Sequence, residues 1–388
     1  MLLAAALGAA AVLGVVLAAT LGGGGAGRRS STSTPPQTQT VPPGPLPAPA
    51  GEQFGASVNW LFNSRDFNAV EIDRQLTALH AAGATLARSD ALWEATEPNP
   101  PSGGAHRYDW SFDDMVAGAL AAHGLRWLPI LDYSAPWAES VPGRAHSPPA
   151  TDAGYSAYAA AFAARYGAHG AFWRAHPELL AAPVDTIEVW NEPDNPGFWS
   201  PAPDAARYGQ LYLAARAAVR QAAGGIRVIV GGLTHPAAFL PAMLAAHPEL
   251  RGQLDGVAIH PYAVNPLAIL AGVRGARAAL RALGLADVPL YVTEFGWTTQ
   301  PPGALHYLPA SLRPQYIQST VSALGHLDCG VAAALLYTWV TPERNPSDPE
   351  QWFGIDPPGA PGGAGAAAFT AGLEQARGSR AQISLCGG

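Results

Sequence analysis

The 388-residue sequence contains no lysine, and all 22 of its basic residues are arginine. Schiff-base aldolases, pyridoxal enzymes and Walker-type nucleotide hydrolases depend on a lysine amine, so the absence of lysine excludes these classes. Charge is also scarce: charged residues make up 13% of the chain, and the net charge is -7. Because no basic run extends beyond Arg28 and Arg29, we expect no nucleic acid partner.

Hydrophobic residues account for 48% of the chain, enough for a sizeable core. One uncharged apolar run, Leu2 to Leu21, is long enough to form a signal peptide core or to cross a bilayer once. A stretch rich in proline, serine and threonine follows at 30–51 and predicts a disordered linker. We therefore expect a signal peptide or single-span membrane anchor over 1–29. The domain at 52–388 is then exported and lies outside the cell or on its surface.

From residue 52 onward, short apolar runs alternate with alanine-rich amphipathic segments. The runs predict eight strands, at 54–63, 84–90, 125–133, 186–192, 226–233, 254–262, 290–295 and 331–340. Helices are predicted between them, at 70–82, 112–123, 155–166, 205–222, 267–283 and 314–327. This alternation predicts a single (β/α)₈ TIM barrel, and we expect it to be a monomer. A doubly wound sheet is the alternative, but no glycine fingerprint follows the first strand.

The chain has only two cysteines, Cys329 and Cys386. Cys329 stands just before the predicted eighth strand, at the bottom face of the barrel, and a chain that continues past the eighth helix returns to that face. We therefore predict a disulfide that ties down the carboxyl-terminal segment, in keeping with an oxidising compartment. Two unpaired thiols are the alternative.

Two of the predicted strands end in a glutamate. The stretch DTIEVWNEPD (185–194) is an apolar run that stops at Asn191, Glu192 and Pro193, and PLYVTEFGWTT (289–299) has the same build around Glu294. The carboxyl ends of barrel strands meet at one mouth, where such enzymes do their chemistry. Cleavage of a glycosidic bond needs an acid and a second carboxylate that faces the anomeric carbon, and two glutamates supply that pair.

A fourth strand that ends in Asn-Glu-Pro and a seventh that ends in Thr-Glu-Phe-Gly resemble clan A of the glycoside hydrolases, the retaining (β/α)₈ enzymes. The resemblance implies that Glu192 is the acid/base and Glu294 the nucleophile. Residues Trp93, Glu97 and Pro98 in LARSDALWEATEP, together with LDYSAPW at the third strand, resemble the β-xylosidase and iduronidase-like family 39. The seventh-strand sequence EFGW is closer to family 5.

Further strand-end residues match the same clan. Arg88 matches an arginine near the nucleophile, and in the motif IHPY His260 and Tyr262 match a histidine near the acid/base and a tyrosine that bonds the nucleophile. Trp339 in YTWV matches the eighth-strand tryptophan that forms the floor under the sugar. From their positions, Asn191 is expected to bond a sugar hydroxyl, and Arg88 and Tyr262 to hold Glu294 ionised.

Seven of the 11 tryptophans fall at or just after the carboxyl ends of predicted strands. They are Trp60, Trp93, Trp137, Trp199, Trp297, Trp339 and Trp352. Flat aromatic faces offer apolar contact to sugar rings. This clustering predicts a cleft with more than one sugar subsite, in which Trp137, Trp297 and Trp339 bind substrate.

Each candidate also has an interpretation without catalysis. Glu192 beside a proline is compatible with a helix start, Glu294 before glycine with a loop cap, and His260 with an ordinary buried histidine. Glu188 is expected to be a structural partner of an arginine. No histidine has a partner at metal-ligand spacing, so we expect no metal and no cofactor.

Two functions from different classes fit these features. The first is an exported retaining glycosidase that acts on oligo- or polysaccharides through a glycosyl-enzyme intermediate. The second is a catalytically silent carbohydrate-binding barrel, since barrels host binders as well as enzymes. Transglycosylation would use the same two glutamates with a sugar as acceptor in place of water.

Overall fold

The computed structural model describes residues 52–144, 146–378 and 382–387. The predicted leader (1–29) and linker (30–51) lie outside the described residues. Eight parallel strands pair in sequence order and close into a barrel, β8 against β1, which confirms the (β/α)₈ fold. The strands are β1 (Gln53–Ser57), β2 (Leu86–Leu92), β3 (Arg126–Asp132), β4 (Thr186–Val189), β5 (Arg227–Leu233), β6 (Val257–Ile259), β7 (Leu290–Val292) and β8 (Val331–Leu336).

Helices surround the barrel and form the outer layer of the core. They are α1 (Asn59–Asn63), α2 (Ala69–Ala81), α3 (Trp93–Thr96), α4 (Ser111–Ala122), α5 (Asp152–Tyr166), α6 (Ala171–Ala175), α7 (Ala205–Ala222), α8 (Pro236–Ala246), α9 (Pro266–Ala282), α10 (Arg313–Leu324) and α11 (Ala364–Arg377). Single 3₁₀ turns occur at Pro248–Gly252 and Pro349–Trp352. Across the described part of the chain, no helix has both the length and the apolar character that a membrane crossing requires.

Several elements differ from the sequence prediction, and strands β4, β6, β7 and β8 are shorter than predicted. The first strand ends at Ser57, and the second half of the predicted strand at 54–63 is the helix α1. That helix turns the side chains of Asn59 and Asn63 toward Asp90, contacts that an extended segment would not make. Helix α8 was not predicted, because Pro236 and Pro241 interrupt its helical pattern.

The barrel interior has an apolar layer below a charged one. Leu86, Leu128, Ile229, Tyr291 and Leu335 pack together inside the barrel. Since side chains alternate between the two faces of a strand, the next inward position on β2 after Leu86 is residue 88. The charged layer that begins there forms the base of the site described below.

The predicted disulfide between Cys329 and Cys386 is present, with 5.1 Å between the two Cα atoms. It lies just before β8, as expected, and the side chain of Asp328 accepts hydrogen bonds from the backbone N–H groups of Leu385, Cys386 and Gly387. The carboxyl-terminal segment is therefore held by one covalent bond and three backbone hydrogen bonds.

We expect the Cys329→Ser, Cys386→Ser double variant to lose about 2–4 kcal/mol of unfolding free energy, because the bond closes a long loop in the unfolded chain. Urea denaturation measures the loss, and wild type treated with a reductant should show the same loss. Titration of the urea-unfolded, unreduced wild type should find no thiol. Two reactive thiols there would refute the bond.

Candidate active site

Arg88 is the centre of the charged layer. It is fully buried on β2, and its guanidinium forms a bidentate ion pair with Glu188 of β4, with N–O distances of 2.8 and 3.0 Å. The same group donates to Glu294 at 2.6 Å and to the side-chain oxygen of Asn191 at 3.0 Å. Glu188 is thus the arginine partner that the sequence predicted. One arginine aligns the ends of β4 and β7 from below.

Glu294 lies two residues beyond β7 and is held as a carboxylate. One of its oxygens accepts from Arg88, and the other accepts from the Tyr262 hydroxyl at 2.7 Å. Burial alone would raise the pKa of Glu294, but the positive charges of His260 and Arg88 and the hydrogen bonds from Tyr262 and Arg88 outweigh it. The pKa of Glu294 therefore lies below its usual range. The two residues expected to keep Glu294 ionised both contact it.

Glu192 projects into the barrel mouth from a tight turn that follows β4. Trp190 and Glu192 have φ values of 65° and 45°, in the left-handed region that most side chains avoid. The turn is closed by the N–H of Asn195, which donates to the carbonyl of Glu192 at 3.0 Å. Residues in this region are strained and persist where the surroundings enforce them, often at functional sites. The turn directs the carboxyl group of Glu192 into the barrel mouth, a direction that a continuing strand would not give it.

The carboxyl group of Glu192 has a different set of partners from that of Glu294. Its Oε2 accepts from the side-chain amide of Asn195 at 2.5 Å, and its Oε1 lies 2.7 Å from Nδ1 of His260. The other ring nitrogen of His260 lies 3.1 Å from the Thr293 hydroxyl. Burial would lower the pKa of His260, but the charge of Glu294 and the contact with Glu192 raise it above its usual value. Glu192 and His260 are therefore joined by a short hydrogen bond.

The two glutamates meet in one cavity. One carboxylate oxygen of Glu192, one of Glu294 and a ring nitrogen of His260 lie within 4.8 Å of one another. The cavity above them has a volume of about 740 Å³, which suits a sugar-sized ligand. These three side chains are also close enough to share a cation. However, Arg88, Tyr262, His260 and Asn195 already bond the two carboxylates, so the donor set is that of an acid pair and not of a metal centre.

Three predicted substrate-binding tryptophans are not among the residues that line the cavity. Trp339 is fully buried and donates from its indole to Gln75 of α2, because β8 ends at Leu336 and its alternation does not reach residue 339. Trp137 donates to the Glu97 carbonyl and packs edge-on against Trp93.

The third, Trp297, is buried and donates to the Ala263 carbonyl. None of the seven strand-end tryptophans lines the cavity. Trp137, Trp297, Trp339 and Trp352 donate their indole N–H groups to other parts of the chain, and Trp93 and Trp199 pack against neighbouring aromatic rings.

Smaller rings line the cavity instead. Besides His235 and His260, they are Tyr133, His146, Phe198, Tyr262, His306, Tyr337 and Phe353. Apart from His260 and Tyr262, the sequence did not single these residues out. The alternation of β8 could have identified Tyr337 as a cavity residue, since it continues the inward positions 333 and 335 of that strand. The others come from loops, where no periodicity marks the inward side chains.

Two further carboxyl groups line the cavity, and the sequence did not identify them either. Asp90 continues the inward positions 86 and 88 of β2, and Glu350 stands on the 3₁₀ turn after β8. Burial raises the pKa of Asp90 to about 6, although Arg88 and Asn59 act in the opposite direction. Burial also raises the pKa of Glu350. Among the cavity-lining residues, all within the described ranges, none is an arginine.

No family model matches the chain, and no curated protein matches its sequence. Among solved structures, it is similar to a monomeric beta-xylosidase from Caulobacter crescentus CB15, with 21% identity, a TM-score of 0.64, and coverage of 83% of this chain and 68% of that one. It is also similar to the GH39 enzyme from Xanthomonas axonopodis pv. citri, with 20% identity, a TM-score of 0.62, and coverage of 86% and 71%. A GH5_18 protein from Streptomyces cattleya in complex with GlcNAc matches at 17% identity, with a TM-score of 0.62 and coverage of 86% and 82%. The predicted resemblance to families 39 and 5 is confirmed for the fold.

Proposed function

We propose that the protein is a retaining glycoside hydrolase that cleaves O-glycosidic bonds of oligo- or polysaccharides. The observation that supports this most strongly is the pair Glu192 and Glu294, whose carboxylate oxygens approach within 4.8 Å in one cavity. Retaining enzymes hold their two carboxyl groups ~5–5.5 Å apart, whereas inverting enzymes need a larger gap for a water molecule. The solved structures of similar fold include a beta-xylosidase, which supports a sugar substrate.

The environments of the two glutamates suit the two roles. Glu294 has a lowered pKa and is ionised, so it can attack the anomeric carbon and form a glycosyl-enzyme while the bond to the leaving oxygen breaks. Glu192 faces the same site, and its proton passes to the leaving oxygen. In the second step Glu192 takes a proton from water, whose oxygen bonds to the anomeric carbon and releases Glu294. His260, within hydrogen-bond distance of Glu192, keeps this carboxyl group oriented.

The remaining parts of the proposal concern the chain as a whole. Residues 1–29 form a leader or single-span anchor, 30–51 a linker and 52–388 the catalytic domain, which acts as a monomer outside the cell or on its surface. The disulfide supports export, because such bonds persist in oxidising compartments. Cleavage needs no cofactor, since both carboxyl groups come from the chain.

The stereochemistry of the first product tests the reaction class. Purified protein is incubated with a panel of aryl glycosides, and proton NMR records the anomer of the released sugar before mutarotation. We expect the same configuration as in the substrate. Inversion would contradict the proposed geometry, and no turnover of any glycoside, with binding intact, would favour the silent carbohydrate-binding barrel. Products longer than the substrate would identify a transglycosylase.

We expect Tyr262→Phe to move the acidic limb of the kcat/KM profile to higher pH. The substitution removes a hydrogen bond that stabilises the Glu294 carboxylate, so the pKa of Glu294 rises and protonation inactivates the nucleophile at a higher pH than in wild type. Loss of a bond to a charged group should also lower kcat/KM at the optimum by ~10-fold. Tyr316→Phe, on α10, is the control. An acidic limb that stays in place would contradict the role of Tyr262.

A further inference from the structure

Asp90 is a cavity-lining carboxyl group that the double displacement does not use. Its two oxygens accept from the side-chain amides of Asn59 at 2.9 Å and Asn63 at 2.7 Å. The oxygen of Asn59 in turn accepts from the backbone N–H of Asp90 at 3.0 Å. Helix α1 supplies both asparagines, so it fixes the rotamer of Asp90 beside the cavity. A carboxylate held this firmly can accept further hydrogen bonds at a defined position.

Glu350 is a second carboxyl group of the same kind. It lies on the 3₁₀ turn after β8 and accepts from the hydroxyl of Tyr337 at 2.8 Å. Asp90 and Glu350 line the same cavity as Glu294. The cavity is therefore rich in hydrogen-bond acceptors.

Within the described part of the chain, the same cavity offers no arginine or lysine to an anionic ligand, and its one histidine with a raised pKa, His260, already lies 2.7 Å from Glu192 and 3.6 Å from Glu294. The chain has no lysine, and no arginine is among the described residues that line the cavity. Arg88 lies beneath, fully buried, and its guanidinium already donates to Glu188, Glu294 and Asn191. The pKa of His306 is lowered by burial, so this lining ring is neutral. A carboxylate brought here would meet four acidic side chains and no free guanidinium.

We infer that Asp90 and Glu350 select the sugar whose bond is cleaved: they accept hydrogen bonds from the hydroxyl groups of an uncharged sugar and exclude uronic acids. This inference rests on the proposed glycosidase function. Sugar hydroxyls are donors that match carboxylate acceptors, and a hydrogen bond to an ionised acceptor is stronger than one between neutral groups. A uronic acid places a carboxylate among like charges, and that repulsion discriminates against it.

Wild-type protein provides the first test. Aryl glycosides are compared in pairs that differ only at C6, as hydroxymethyl or carboxylate, in the gluco and galacto series and in both anomers. We expect kcat/KM for the neutral member of the productive pair to exceed that for the uronide by ~100-fold or more, the scale of like-charge juxtaposition. Equal rates, or a faster uronide, would overturn the selectivity while leaving the glycosidase function intact. Hydrolysis of no glycoside of either kind would contradict the proposed function itself.

The Asp90→Asn variant provides the second test, with Glu374→Gln on the exposed face of α11 as the control. Removing the charge should lower kcat/KM for the neutral glycoside by ~10-fold, since a hydrogen bond to a charged acceptor is lost. It should also lower the ratio of neutral to uronide kcat/KM by ~10-fold, because like-charge repulsion is relieved. If Asp90 only maintained the structure of the cavity, its replacement would lower kcat/KM for both substrates by the same factor. An unchanged ratio in a variant with the melting temperature of wild type would overturn the inference.

Discussion

Replacing Glu294 with alanine is expected to lower kcat for aryl glycosides by roughly 10⁵-fold, the scale on which loss of a covalent nucleophile acts. In the proposed mechanism this carboxylate bonds the anomeric carbon. Arg88 cannot replace it because a guanidinium has only donors, and burial raises the pKa of the Tyr262 hydroxyl well above its usual range, which disfavours the anion that would attack. Steady-state rates on an activated aryl glycoside measure the loss. Arg88 keeps its bidentate pair with Glu188, so the variant retains a partner for the buried guanidinium.

Small anions separate the loss of a nucleophile from a loss of structure. In Glu294→Ala, azide or formate can occupy the vacated volume and attack the anomeric carbon, and we expect partial recovery of turnover with a product of inverted configuration. Glu374→Ala, on the outside of α11, should keep the wild-type rate. Activity of Glu294→Ala within ~10-fold of wild type would contradict the assignment of Glu294, since a mere loss of positioning is on that scale.

Replacing Glu192 with glutamine is expected to have the second-largest effect, and its size depends on the leaving group. Glutamine keeps the shape but cannot give a proton, so glycosides with poor leaving groups should lose ~10²–10⁴-fold, the usual range for general acid catalysis. Activated leaving groups, such as dinitrophenolate, need no proton. For these, bond cleavage should stay fast while hydrolysis of the glycosyl-enzyme becomes slow.

The measurement is kcat/KM across aryl glycosides whose leaving phenols differ in acidity. In wild type we expect a shallow dependence on leaving-group acidity, and in Glu192→Gln a steep one, together with a burst of phenol from the most activated substrate. The same slope in both proteins would contradict the acid/base role. His260→Asn serves as the comparison, because it removes the partner of Glu192 and leaves its carboxyl group in place.

The buried arginine gives the two glutamates of one pocket different surroundings, as the two proposed roles require. Arg88 is buried together with Glu188. The free energy needed to remove the two charges from water is nearly as large as the free energy gained when they pair. Its pKa lies well above its usual range, because the charges of Glu188 and Glu294 outweigh burial, which alone would lower it. The arginine therefore stays charged at any pH at which the fold exists. Arg88 forms an ion pair with Glu294 at 2.6 Å, whereas the cationic neighbour of Glu192 is the titratable His260 at 2.7 Å, and this difference separates the two groups.

The fold could be predicted from the sequence because the eight apolar runs have the pattern of buried strands, and the segments between them have the hydrophobic period of amphipathic helices. The strand-end residues Glu192, Glu294 and Tyr262 were predicted for the same reason, since parallel strands end at one mouth, whereas His260 was predicted from the resemblance to clan A. Asp90 follows Arg88 at the inward spacing of two and could have been predicted from the strand pattern.

What could not be predicted depends on where each strand stops and how the loops turn. Trp339 keeps the inward spacing of β8, yet the strand ends at Leu336 and the indole packs against α2. Likewise, the segment after β1 turns into helix α1 at Asn59, although its residues suit a strand. Tryptophans near strand ends filled the spaces between loops, whose paths follow tertiary packing and not a local pattern.

Covalent trapping tests most directly whether residues 192 and 294 act on one bond. A panel of activated 2-deoxy-2-fluoro glycosides, which form the glycosyl-enzyme but hydrolyse it slowly, is incubated with the protein, followed by intact-mass measurement and peptide mapping. We expect the mass to rise by one fluoroglycosyl group, located on Glu294, and Glu294→Ala to remain unlabelled. A label on another residue would contradict the assignment of Glu294 as the nucleophile. So would the absence of any adduct and of any inactivation, if the protein hydrolyses the corresponding glycoside without fluorine.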